Sequence, residues 1–76
     1  MTREAVRDFY QRIIGWIDIE SNGDQVGRDF YQRIVGYYVK SRNETLDFYK
    51  RPKYKGNMLA ALIQEAENAL QNGGKK

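Results

Sequence analysis

The chain has 76 residues and a formal net charge of +3, with 41% hydrophobic and 13% aromatic residues and neither cysteine nor histidine. A chain of this length makes one small domain with a thin core, since it buries only about 60% of its unfolded surface. Disulfides and the usual zinc and haem ligands are excluded, the charge is too mild to demand a polyanionic partner, and no apolar run approaches the roughly 18 residues that span a bilayer.

The N-terminus, Met1-Thr2-Arg3-Glu4, carries no apolar signal region, which predicts a soluble, cytoplasmic protein without membrane contact. From Arg7 the chain repeats itself. Arg7-Asp8-Phe9-Tyr10-Gln11-Arg12-Ile13-Ile14-Gly15 returns as Arg28-Asp29-Phe30-Tyr31-Gln32-Arg33-Ile34-Val35-Gly36, eight identities in nine positions at an offset of 21 residues. A third, decayed copy begins at Leu46-Asp47-Phe48-Tyr49-Lys50-Arg51, and Pro52 stands where the first two have isoleucine. Repetition at this scale means one supersecondary unit used three times, none able to bury its apolar face alone.

Helix and strand compete for the repeat. Wound as a helix, the first copy places Val6, Phe9, Tyr10, Ile13, Ile14 and Ile17 on one face. Residues 1 to 40, however, hold one alanine and no leucine while Val, Ile, Phe and Tyr abound, and Gly15, Gly27 and Gly36 would each cost a helix about 1 kcal/mol. Asn22-Gly23 between apolar runs is a hairpin signal, both residues accepting positive φ. The residues therefore predict strands near 4 to 10, 12 to 19, 25 to 31 and 33 to 40, with a short fifth at 45 to 49, in an antiparallel meander. Each Asp-Phe-Tyr-Gln-Arg forms the turn inside a repeat, with Asp8, Asp29 and Asp47 bonding backbone amides and Arg12 and Arg33 pairing with them across the turn. Gln11, Gln32 and Lys50 fall where a type I turn is followed by a left-handed residue, a place that suits glycine. Pro52 is expected to stop the third repeat early.

With these residues, positions 6 to 51 and the following Lys55-Gly56-Asn57 resemble a group of short, uncharacterised bacterial proteins built from Asp-Phe-Tyr-Gly-Arg-type hairpin repeats. The resemblance implies a β meander and brings no activity with it.

Beyond Asn57, a predicted N-cap, Met58, Leu59, Leu62, Ile63, Ala66, Ala69 and Leu70 recur at helical spacing, and Asn72-Gly73-Gly74 reads as a stop. The expected fold is α+β: a repeat-derived antiparallel meander of about five strands and one C-terminal helix, about 58 to 71, packed on one face. It forms a single domain over 1 to 72, with repeats at about 4 to 20, 25 to 41 and 45 to 56, followed by a disordered tail at 73 to 76.

Strict alternation puts Ile14, Trp16, Val35, Tyr37 and Val39 on one sheet face and Ile13, Ile17, Ile34 and Tyr38 on the other, with aromatic rings lying over Gly15 and Gly36. One helix covers one face, so the other offers a contact surface, and Trp16, Tyr37, Val39 and Tyr38 are its candidate residues. The functional expectation is a non-enzymatic protein-interaction or self-assembly module whose partner is a protein or a second copy. Without a histidine base, a cysteine nucleophile, a phosphate loop or metal-ligand spacing, catalytic, cofactor and metal sites are not expected. The alternative is weak, sequence-nonspecific binding of single-stranded nucleic acid by Tyr49, Lys50, Arg51, Lys53, Tyr54 and Lys55, four cations interleaved with two tyrosines.

Overall fold

The computed structural model describes residues 2–73. Its six strands are β1 (Thr2–Arg7), β2 (Ile13–Ile19), β3 (Gln25–Asp29), β4 (Ile34–Val39), β5 (Glu44–Asp47) and β6 (Pro52–Lys55), and helix α1 (Leu59–Gly73) follows them. They make one antiparallel sheet in the order β1-β2-β3-β4-β5-β6, an uninterrupted meander in an α+β fold. The strand reading of the repeat holds. The chain has one strand more than expected, because the third repeat is a complete hairpin. Pro52 does not stop it: the proline stands first in an edge strand, where its missing N–H costs no ladder bond. The side chain of Leu70 and nearly all of the expected tail at 73 to 76 lie outside the described residues; Gly73 ends the helix.

Each hairpin carries a bulge at the same offset after its turn. Val6 pairs with Gly15 but Arg7 with Ile13, leaving Ile14 unopposed. Gly27 pairs with Gly36 but Arg28 with Ile34, leaving Val35. Thr45 pairs with Tyr54 but Leu46 with Pro52, leaving Lys53. An extra residue in one strand breaks the two-residue alternation, and this overturns the expected faces at Ile13-Ile14 and at Ile34-Val35. Ile14 and Val35 join Ile17 in the core beneath α1, while Ile13 and Ile34 stay in register with Arg7 and Arg28 on the open face.

The core is Ile14 and Ile17 of the sheet against Leu59, Leu62 and Ile63 of the helix, with Val6, Ile19, Val35, Tyr38 and Tyr54 packed around it. Helix and sheet approach closely because Gly15, Gly27 and Gly36 line a bare strip under α1. A Cβ on Gly15 would meet Ile63 and the Arg28 carbonyl, and one on Gly36 would lie 2.5 Å from Leu62 Cδ1. Aliphatic helix residues, not the expected aromatic rings, fill these gaps.

Asn57 acts at the helix start as expected, its Oδ1 accepting the Leu59 N–H at 3.3 Å. A second partner comes from across the sheet: fully buried Thr45 accepts the Met58 N–H at 2.8 Å and donates its hydroxyl to the Gly56 carbonyl at 2.6 Å. That one side chain satisfies an orphan helix donor and a loop acceptor together.

Candidate contact edge at the hairpin turns

Antiparallel order sends the turns after β1, β3 and β5 to one end of the sheet and the linkers after β2 and β4 to the other. Successive turns are two strands apart, about 10 Å, so the row of three covers about 19 Å. The turns share one geometry. The Gln11 N–H donates to the Asp8 carbonyl at 3.0 Å and the Asp8 N–H to the Arg12 carbonyl at 2.9 Å; the second and third turns repeat both bonds. Gln11, Gln32 and Lys50 adopt φ of 67°, 70° and 65°, the left-handed conformation expected at those places. In the linker after β2 only Gly23 of the Asn-Gly pair takes positive φ, so that loop is built the same way, with glycine in the left-handed seat.

The recurring aspartates are structural. Asp8 Oδ1 accepts the N–H groups of Tyr10 and Arg12 at 2.8 and 3.0 Å, while Oδ2 accepts Arg12 Nε at 3.0 Å. Asp29 does the same with Tyr31 and Arg33, and Asp47 with Tyr49 and Arg51. Burial pushes the Asp8 carboxyl up, but the Arg12 amide and guanidinium and the Tyr10 amide outweigh it and hold the group below its ordinary value. The Arg51 amide, helped by the Tyr49 amide and the Arg51 charge, does likewise for Asp47 against the opposing effect of burial. The Asp8 and Asp29 side chains are 9% and 5% exposed, whereas their arginines are 65% and 62% exposed. The carboxylates therefore face inward and the cations outward.

Beyond each ion pair stand two rings. Phe9 and Tyr10, Phe30 and Tyr31, and Phe48 and Tyr49 meet edge to face with centroids 5.3 to 5.5 Å apart. Arg12, Arg33 and Arg51 lie over the tyrosines at 5.5, 5.5 and 5.1 Å. All six rings are exposed, from 52% at Phe30 to 90% at Phe9. Between the first two turns a groove of about 740 Å³ is lined by Arg7, Arg12, Ile13, Ile14, Phe30, Tyr31 and Glu67.

The residues singled out in the sequence distribute differently. Trp16, Tyr37 and Val39 share the open face, but Tyr38 lies on the covered one, packed against the core with its hydroxyl donating to Asn43 Oδ1 at 2.8 Å. The open face is not bare: Arg3 lies over Trp16 at 5.7 Å, Lys50 over Tyr37 at 5.0 Å, and Asp18 binds both Arg3 and Arg28. The segment 49 to 55 also divides. Tyr49, Lys50 and Arg51 belong to the turn row, whereas Lys53 pairs with Glu65 at 3.4 Å and Lys55 with Glu44 at 3.1 Å. The Tyr54 hydroxyl donates to Glu65 at 2.7 Å, a bond that raises the tyrosine and lowers the glutamate. Sequence reasoning passed over Phe9, Phe30 and Phe48 as a row; their strict recurrence after aspartate was the available signal.

Among the described residues no group of acidic side chains could hold a metal ion, and no helix is long and apolar enough to cross a membrane. No protein-family model, curated protein or solved structure matches the chain.

Proposed function

We propose that this protein is a small, non-enzymatic interaction module that holds its partner along the turn edge. The observation that carries this reading is the exposure of six Phe and Tyr rings in register at one end of the sheet. Large rings left in water at the tips of rigid, hydrogen-bonded turns are poised to be buried by something else. The sheet face, by contrast, keeps Trp16 and Tyr37 half-buried under cations. Catalysis is a poor fit because the recurring carboxylates already spend their lone pairs on turn amides and arginines. Self-association through the row is opposed by its charge, since each turn carries two cations and one carboxylate: Arg7, Arg12 and Asp8; Arg28, Arg33 and Asp29; Lys50, Arg51 and Asp47.

Site-specific photo-crosslinking in cells producing the protein tests this reading. A benzophenone side chain in place of Phe9, Phe30 or Phe48 is expected to capture partner molecules. The same group at Tyr37 on the open face, or at exposed Ala60 of α1, is expected to capture few. Capture at Tyr37 with none at the turns would move the contact to the sheet face and end the proposal.

A further inference from the structure

We infer that the occupant of the turn edge is single-stranded nucleic acid, held without sequence preference along all three turns; this rests on the interaction-module reading above. The chemistry that holds a single strand is a file of aromatic platforms beside a file of cations. Both files are present, in register, at one edge. Each turn offers an exposed phenylalanine, a purely apolar ring whose faces suit any base. Beside it stands an exposed arginine; in the first two turns its carboxylate partner is turned inward, and in the third Asp47 is 25% exposed against 72% for Arg51, so that the solvent meets the cation first. Two of a guanidinium's five donors suffice for the Asp8 contact through Nε and Nη2, which leaves donors for phosphate on the outward side.

Charge favours the same occupant. The three turns together carry six cations and three carboxylates, with Arg28 also bound to Asp18 and Lys50 lying over Tyr37. Of the acidic groups outside the turns, Asp18 is engaged by Arg3 and Arg28, Glu65 by Lys53 and Tyr54, and Glu67 stands on the groove wall. Spacing agrees as well: a row of about 19 Å matches about six nucleotides at the roughly 3.4 Å rise of a stacked strand and falls within the roughly 4 to 16 nucleotides that small single-strand sites cover. The segment 49 to 55 is thus only one third of the surface. Its Tyr49, Lys50 and Arg51 act with their counterparts in the other two turns, while Lys53, Tyr54 and Lys55 stay bound to Glu65 and Glu44.

The test is fluorescence anisotropy of the full chain with labelled oligothymidylate and oligouridylate of about four, eight and twelve nucleotides, beside a duplex of the longest length and anionic phospholipid vesicles. Binding is expected to rise sharply between the two shorter lengths and to favour single strand over duplex. Its dependence on log salt should have a slope of about −2, for three phosphates at roughly −0.7 each. Equal affinity for the two oligomers or a preference for either fits the shared chemistry and identifies which polymer is bound. Phe9→Ala, Phe30→Ala and Phe48→Ala, all at exposed positions, should each weaken binding about thirtyfold, the middle of the range for one base–aromatic stack, while Ala60→Ser leaves it unchanged. No binding at low salt, affinity indifferent to salt or to the three phenylalanines, equal binding of duplex, or binding of vesicles alone would each overturn the inference. In those cases partner capture at the turn positions would keep the contact edge and discard only the identity of its occupant.

Discussion

Asp29 and Arg33 face each other across the second turn at 2.8 Å, the carboxylate sealed beneath the chain reversal and the guanidinium held out over Tyr31. The pair gives the turn its shape and the edge its charge.

Removing the carboxylate separates those two contributions. Asp29→Ala strands the N–H groups of Tyr31 and Arg33 and is expected to cost about 2 kcal/mol, within the range for unmade bonds at a largely buried site. Asp29→Asn keeps an acceptor for both amides and forfeits only the charged contact with Arg33, so it should cost clearly less. Urea unfolding of both variants decides the order, and equal losses would mean that the ion pair, not the amide bonds, holds the turn.

The left-handed residues store strain that glycine relieves. At Gln32, with φ 70°, replacement by glycine is expected to raise stability by up to about 1 kcal/mol, while Gln32→Ala brings no gain. Thermal unfolding of the two variants measures the difference; a destabilised glycine variant would show that the glutamine side chain contributes more than its backbone costs.

Under the helix the opposite substitution fails. A methyl group on Gly36 would sit 2.5 Å from Leu62 Cδ1 and 2.6 Å from the Leu46 carbonyl, and the second of these belongs to a paired strand that has no room to shift. Gly36→Ala should cost about 2 to 3 kcal/mol. A stability equal to the parent's in urea would mean that α1 rides further from the sheet than described.

Acid should weaken the open face before the core. Asp18 receives Arg3 Nε at 2.6 Å and Arg28 Nε at 3.0 Å, and these hydrogen bonds and charges, Arg3's bond foremost, outweigh burial and lower its pKa to about 2. A carboxyl depressed in the folded state stabilises in full above its unfolded value near 4, here by on the order of 2 kcal/mol, and that stability drains away as pH falls from there toward 2. Asp18→Asn should flatten that part of the stability profile. An unchanged acid limb would place the titration elsewhere.

The meander was legible because two copies of one nine-residue string, at Arg7 and Arg28, carry both the strand residues and the turn residues, and the helix because Leu59, Leu62 and Ile63 keep its period. What escaped has physical causes. A bulge is a backbone event without a side-chain signature, so Ile13 and Ile14 could be assigned to faces only by strict alternation, which the unpaired Ile14 breaks. Strand β6 was hidden by Pro52 and two lysines, residues that suit an edge and nothing deeper. Thr45 reaches the Met58 amide across 13 positions of sequence, a distance no local capping pattern spans. The candidate edge is half visible in the sequence: its aspartates and arginines read as turn chemistry and Tyr10 and Tyr31 as rings carried at the turns, able to stack on one another or to offer a row to a partner, and the meander's order shows that three turns stand side by side.

The linkers after β2 and β4 lie at the end of the sheet opposite the turns, so the hairpins are joined without anything crossing the ring-bearing edge. Duplication of one 21-residue unit would extend the edge by about 10 Å and leave the existing turns where they are. Under the proposed function, reach and valency become matters of copy number, and a different count of repeats would tune grip without a single new side chain.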